Sequence, residues 1–384
     1  MTEPLKLDSS GIDKFILKAA LKEEPIFDSY KKLCTAQGSP LMDYKDFERK
    51  YYQFYNGNYE LTIKKCTVDV SPVTFSDLPI VVLKKVVTGL SLVDCLALRK
   101  VSHGLRNLVD STETYCERIW FRFRDNHWGI KLRDSELSYR KTDDEMCNFW
   151  CISKEYKDDR NFQEVMIADA STFLKNPKLK IDNLHFEVLL DTDSHDSFTN
   201  YLKSLSFQLD VRSICVQMNE RTALPILQFL KPETLEEIFI DSQHTDFEIL
   251  DDFTGMQQWK KAKKLYWEWF PGGVQSEKFL HFQEVYFLQI SWADENLMMV
   301  RDILHQSTRM DYCYLTFDYP DDEDEDGKEK IARIMRQNPA FDPNAWRFSI
   351  PNSRDYFQLE FKIDDNEYDY DRRESLRITK ILRN

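Results

Sequence analysis

Six short runs of alternating apolar residues recur at nearly fixed spacing in the second half of this chain, and they constrain its fold more than any other feature. Leu184, Phe186, Val188 and Leu190 alternate with His185 and Glu187; Ile214, Val216 and Met218 alternate with Cys215 and Gln217; Ile238 and Ile240 flank Phe239. Leu265, Trp267 and Trp269 follow, then the run from Val285, then Cys313, Leu315 and Phe317. Period-two alternation over so few residues marks half-buried strands. With Phe186, Ile214, Ile238, Leu265, Phe287 and Leu315 as strand centres, the intervals are 28, 24, 27, 22 and 28 residues. Helical segments fill the gaps, such as SFTNYLKSL from Ser197, ALPILQFL from Ala223 and DENLMMVRDIL from Asp294. One strand and one helix per roughly 20 to 29 residues predicts an α/β, leucine-rich-repeat-like solenoid over residues 171–365, each repeat burying its apolar face on the next. The strict leucine-rich signature is missing, so the expectation concerns architecture alone.

The end of this region changes pattern. Phe348 and Leu359 flank Pro351-Asn352-Ser353, which predicts a hairpin whose second strand, FQLEFKI from Phe357, caps the open edge of the repeats. Residues 366–384 read as a solvated basic tail, since the stretch from Asp371 holds five cations against two anions. The run Asp318–Asp326 carries seven carboxylates in nine residues and reads as a solvated loop able to attract a basic substrate.

The front half is α-helical. Between Phe75 and Asp110, Ile80, Leu83, Val86, Val87 and Leu90 repeat at helical spacing and stop near Gly89, with Asp77 in an N-cap position and Pro79 near the first helical one. Ser91 starts a second helix through Cys95, Leu96, Leu98 and Val101, with Asp94 placed for reciprocal capping. A third carries Leu105, Leu108 and Val109. Three helices this short cannot bury that much apolar surface among themselves, so the stretch asks for a partner. Its five cations (Lys84, Lys85, Arg99, Lys100, Arg106) exceed its three anions (Asp77, Asp94, Asp110), a sign suited to an acidic partner.

Upstream, residues 11–61 show three further helical faces: Ile12, Phe15, Ile16 and Ala19; Pro25-Ile26-Phe27 with Tyr30 and Leu33; and Tyr44, Phe47, Tyr51, Tyr52 and Phe54, the last two separated by Gly38-Ser39-Pro40. On the third, Asp46 and Glu48 oppose Lys45, Arg49 and Lys50, so its aromatics read as core rather than as a DNA-reading face. A linker over Thr62–Val73 leads on to the 74–112 module. Residues 113–170 read as a mostly helical connection anchored by Tyr115, Trp120, Phe121, Phe123, Trp128, Phe149, Trp150 and Tyr156.

Composition narrows the function classes. The chain has 384 residues, a size that favours two or three domains, and 42% apolar residues suffice for packed cores. Its 52 Lys+Arg against 66 Asp+Glu, a net charge of −14, argue against a whole-chain binder of phosphate polymers. Eight dispersed cysteines form no C-x-x-C pair, the first residues lack a secretory pattern, and no apolar run approaches the roughly 18 residues of a membrane span, so reduced thiols and a cytoplasmic or nuclear setting are expected. Cys147 and Cys151 lie four apart on an expected helix, without a paired histidine to suggest a metal. G-x-S-x-G, H-E-x-x-H, G-x-G-x-x-G and phosphate-loop motifs are absent, and His185 with Glu187 reads as a surface pair. Neither catalytic residues nor a cofactor or metal is expected.

The 74–112 module resembles the F-box, which docks substrate receptors onto Skp-type adaptors of Skp-cullin-F-box ubiquitin ligases. The resemblance rests on Leu78-Pro79, Leu83, Val86, Leu90, Asp94, Leu96, Leu98, Arg99, Val101, Leu105, Arg106, Leu108, Val109 and Asp110. Ile80-Val81 stand where the family often carries an acid, Cys95 follows Asp94, and Leu105 replaces a common Trp. The resemblance implies adaptor contacts through Leu78, Pro79, Leu83, Val86, Leu90, Leu96, Leu98, Val101 and Leu105. Residues 11–61 resemble the helix-turn-helix of mariner-type transposases, and the region ending in SIPNSRDYFQLEFKI resembles the FTH domain of nematode F-box proteins. The order implies a non-catalytic substrate-recognition subunit, with a Skp-type adaptor and through it a cullin as partners, and an unidentified protein target. The alternatives are a transposon-derived nucleic-acid-binding protein and a non-degradative interaction scaffold.

Overall fold

A computed structural model describes residues 9–37, 42–57, 78–133, 135–142, 146–151, 154–188, 196–217, 226–241, 247–270, 273–317, 326–364 and 373–382. Gly38–Pro40, the 62–73 linker, Asp77, Leu190, Met218 and the acidic run 318–325 lie outside the described residues. Two compact units divide the chain, Met1–Thr114 and Tyr115–Asn384.

The first unit is helical: α1 (Ser9–Leu21), α2 (Ile26–Gln37), α3 (Tyr44–Tyr55), α4 (Ile80–Thr88), α5 (Leu92–Arg99) and α6 (His103–Ser111). Ile16, Ala19, Ala20, Leu33, Phe47, Tyr51, Tyr52 and Phe54 form the core of its first three helices. The aromatics of α3 are thus spent on packing: Tyr30 meets Phe47 edge-on at 5.4 Å, and the Tyr51 hydroxyl donates to the Glu24 carbonyl at 2.7 Å. Ile80 packs against this core and also against that of α4–α6. Gly104 lies so near the Asn56 carbonyl that a Cβ would stand 3.2 Å from it.

The second unit is a mixed, sheet-rich structure built on one 15-stranded sheet, in the order β12-β13-β14-β15-β11-β10-β9-β8-β7-β6-β1-β2-β3-β4-β5. The mostly helical connection expected over 113–170 is corrected. Strands β1 (Thr114–Arg124), β2 (His127–Leu132), β3 (Ser135–Lys141), β4 (Cys147–Cys151) and β5 (Lys154–Asp158) form an antiparallel meander, and among the described residues there only α7 (Phe162–Leu174) is helical. The reason is visible in β1, where Ile119, Phe121 and Phe123 are buried and alternate with Trp120 and Arg122, a period of two. Arg124 pairs with His127, leaving Asp125-Asn126 as a two-residue hairpin connection.

From β6 (Leu179–Val188) the strands run parallel and in sequence order: β7 (Asp210–Gln217), β8 (Glu237–Asp241), β9 (Lys264–Glu268), β10 (Glu284–Ile290) and β11 (Tyr312–Phe317). The register aligns Leu184, Ile214, Ile238, Leu265, Val285 and Cys313, so the expected centres hold for three strands and lie two residues late for Phe186, Phe287 and Leu315. All six aligned side chains are buried on the face packed by the helices between the strands, among them α8 (Asp196–Lys203), α9 (Phe247–Gly255), α10 (Gln257–Lys261) and α11 (Asp294–Gln306). Phe198 of α8 contacts Phe121 at 4.8 Å, and Trp259 of α10 meets Trp267 edge-on at 6.1 Å. Helix α12 (Gly327–Met335) follows β11, and its cap Asp326 accepts from the Lys328 amide.

At the far end the expected hairpin is present. Strand β12 (Phe341–Asp342) pairs with β13 (Arg347–Ser349), and β13 pairs with β14 (Tyr356–Asp364) through Phe348 opposite Phe357. Two expectations there are corrected. The basic tail is strand β15 (Arg373–Ile381), and it, not the hairpin, covers the edge of β11 while pairing antiparallel with β14 on its other side. Leu376 and Ile378 are fully buried, and their alternation with Arg377 and Thr379 is the period-two signal that the count of cations obscured.

Candidate adaptor interface

Helix α4 has Pro79 as its N-cap, two residues beyond the Asp77 position expected, and its last turn closes when the Gly89 amide donates to the Val86 carbonyl. Ser91 caps α5: its hydroxyl accepts from the Asp94 amide at 3.1 Å and donates to the Asp94 carboxylate at 2.7 Å. The reciprocal bond thus runs hydroxyl to carboxylate rather than to the Ser91 amide. Ser102 caps α6 by accepting from Leu105. The Arg99 guanidinium grips the Asp110 carboxylate at 2.7 and 3.1 Å, which ties the end of α5 to α6.

Helical phase sorts the apolar residues. Leu83, Val87, Cys95, Leu108 and Val109 form the module's core, with Leu78, Ile80, Leu90, Leu98 and Leu105 half-buried around it. Burial, followed by the Asp94 charge, pushes the Cys95 thiol pKa up. The opposite faces leave Val81 (68%), Val82, Val86 (39%), Val93 and Val101 (71%) exposed. Valine is a poor helix former, and exposing several of them favours neither the helix nor solvation, so these positions make a candidate contact surface. Lys85, Lys100 and Arg106 are exposed in the same module.

Of the residues expected to touch an adaptor, Val86 and Val101 are exposed, and Leu78, Pro79, Leu90, Leu96, Leu98 and Leu105 are half-buried. Leu83 is corrected: at 2% exposure it fills the module's own core and offers no surface. Val81 and Val82 of α4 and Val93 of α5 are not among the expected contacts; on α4 the offset of Val81 and Val82 from Leu83 and Val87 at 100° per residue carries the signal.

Elsewhere the side chains of chemical interest are engaged in packing. Glu187 is buried, with Arg122 at 3.1 Å and Arg124 at 3.8 Å, and His185 stacks on Trp120 at 4.5 Å, which corrects their reading as a surface pair. Cys147 lies buried on strand β4, not on a helix, and burial raises its thiol to about 11. Among the described residues no group of three or more His, Cys, Asp or Glu is placed to hold a metal ion, and no helix is long and apolar enough to cross a membrane. On α3, Lys50 pairs with Asp13 at 2.6 Å and Arg49 with Asp46 at 3.3 Å.

Comparison with known proteins matches three segments to family models: residues 14–58 to the HTH domain in Mos1 transposase, 75–117 to the F-box domain and 192–338 to the FTH domain. F-box A protein 224 of Caenorhabditis elegans is 25% identical over 314 residues, covering 78% of this chain and 81% of that protein. No solved structure matches. The exposed valines therefore lie on a module recognised independently of their geometry, and the chain carries, in order, segments that match the HTH domain in Mos1 transposase, an F-box domain and an FTH domain.

Proposed function

We propose that this protein is the substrate-recognition subunit of a Skp-cullin-F-box ubiquitin ligase, acting in the cytoplasm or nucleus without a catalytic centre of its own. The observation that carries the reading is the cluster of exposed valines on a matched F-box, since grouped exposed apolar side chains mark a surface that gains by being covered. The module binds a Skp-type adaptor, and through it a cullin, using Val81, Val82, Val86, Val93 and Val101 together with the outer edges of Leu78, Pro79, Leu90, Leu96, Leu98 and Leu105. The six parallel strands, in sequence order with intervening helices, support a leucine-rich-repeat-like solenoid as the target-binding part. Catalysis is then supplied by other subunits, and this chain raises the local concentration of target.

The test is co-purification of the full chain with a Skp-type adaptor, before and after Val101→Asp. Loss of the adaptor with unchanged circular dichroism supports the assignment; retention refutes it. The nucleic-acid reading is disfavoured by α3, where two of three cations are already ion-paired and the aromatics are core.

A further inference from the structure

The sheet face opposite the helices carries a row of side chains in register across eight strands: His185, Cys215, Phe239, Tyr266, Tyr286, Tyr314, Arg377 and Glu360. The first six are half-buried, whereas the residues alternating with them form the core. Four of those six are aromatic and form one ladder: Phe239 stacks with Tyr266 at 6.0 Å, Tyr266 with Tyr286 at 4.1 Å and 13°, and Tyr286 meets Tyr314 at 6.3 Å. Water-facing strands usually place polar residues at such positions, so a stripe of rings several strands wide is a contact surface rather than a solvated one.

Its charge is uneven. On the side toward the strand starts, Glu237 and Glu284 are both held by Lys264, at 3.9 and 3.1 Å. On the side toward the strand ends, the next row is Glu187, Gln217, Asp241 and Glu268. Asp241 sits directly opposite Glu268, a pairing of like charges that costs stability on a sheet. Among the described residues no cation pairs with Asp241; Gln217 bonds to it, and burial raises its pKa. Trp269, the residue after Glu268, is 38% exposed and held at φ 60°, a left-handed conformation that a bulky side chain adopts only under constraint.

We infer that this face binds an extended protein segment bearing lysine or arginine, laid across β6–β11 with its aliphatic stems along the stacked rings and its cations against Asp241 and Glu268. Lysine and arginine lay their apolar stems along ring surfaces while keeping the charged head outward, and a cation between the two carboxylates relieves their repulsion. At about 4.8 Å per strand, the row from His185 to Tyr314 spans roughly 24 Å, which an extended segment of about seven residues covers. The inference rests on the receptor reading and names the class of its target.

The test uses the full chain and a fluorescein-labelled octa-arginine, with octa-glutamate as the control, followed by anisotropy at physiological salt. Asp241→Asn keeps the shape of the side chain and Tyr286→Leu keeps most of its bulk. Each is expected to weaken octa-arginine binding roughly fivefold or more while leaving the far-UV circular dichroism of the folded chain and adaptor co-purification unchanged. Equal binding by the wild type and both variants shows only general attraction to an acidic protein and overturns the proposal, as does equal binding of octa-glutamate. Val101→Asp separates the two readings: if octa-arginine still binds wild type and the adaptor binds neither chain, the receptor reading fails alone; if the adaptor binds wild type and octa-arginine does not, this inference fails alone.

Discussion

Replacing Val81 and Val86 together by alanine has effects of opposite sign on folding and on adaptor binding. Both lie on the outer side of α4, at 68% and 39% exposure. Alanine forms helix better than valine by about 0.5 kcal/mol per site, so the isolated protein gains up to about 1 kcal/mol of stability. Each substitution removes two methyl-sized groups, worth about 1.6 kcal/mol if fully covered. Scaled by the exposed fractions, the lost interface burial is about 1.1 and 0.6 kcal/mol, and the combined loss is roughly twentyfold in Kd. Calorimetric titration of the full chain with a Skp-type adaptor measures the affinity, and thermal melting followed at 222 nm measures the stability. Unchanged affinity in a variant that melts no lower than wild type refutes the placement of the adaptor on this face.

Leu83→Ala should behave in the opposite way, destabilising the module by about 2–5 kcal/mol because it opens a cavity beside Val87 and Cys95, with any loss of adaptor following unfolding; a melt within 1 °C of wild type contradicts its core role. The thiols of Cys116 and Cys147, raised to about 11, and of Cys215 and Cys313, raised to about 12, should resist alkylation at pH 8 in the native protein and react after denaturation, as peptide mapping would reveal. Burial lowers the pKa of His127, His185 and His281, so the unfolded chain binds more protons than the native one below its own value near 6.5. Their contribution is complete above that pH and fades as pH falls through the lowered native values; a melting temperature independent of pH between 7 and 5 would contradict this. Gly327→Ala should lower stability, because the added Cβ meets the Trp292 ring and the Glu374 carboxylate at 2.5 Å; thermal melting checks it, and an unchanged midpoint counts against the packing described.

The sequence made the helical front half and the strand–helix alternation of the second half legible because both depend on local periodicity. Ile80, Leu83 and Val87 show helical phase directly, and Leu184, Ile214, Ile238 and Leu265 show strand phase. Where two local signals compete, the more conspicuous one masks the strand. In β1 the large aromatics Trp120, Phe121 and Phe123 drew attention to bulk, whereas only the alternating burial of Ile119, Phe121 and Phe123 identifies a strand. In β15 the four charges Arg373, Glu374, Arg377 and Lys380 obscure Leu376 and Ile378, although charged residues fit a strand whose other face is open. Which valines of α4 face outward depends on which helices pack behind it, a tertiary fact. The register that aligns Phe239, Tyr266, Tyr286 and Tyr314 depends on loop lengths between strands, and no local pattern encodes it.

Strand β15 also bears on how the second unit can be made. The parallel strands join neighbours that precede them, so each can dock as soon as it leaves the ribosome. The outer side of β11 is different, because its partner is the last of the fifteen strands in sequence, and β14, though made earlier, pairs beyond it. Ile381 comes 64 residues after Phe317. At about 5–20 residues per second, translation leaves that side without its permanent neighbour for roughly 3–13 seconds, far longer than a hairpin takes to form. During that interval a chaperone or a second nascent chain has its opportunity, and the timing of birth, not the stability of the finished sheet, decides which neighbour β11 takes.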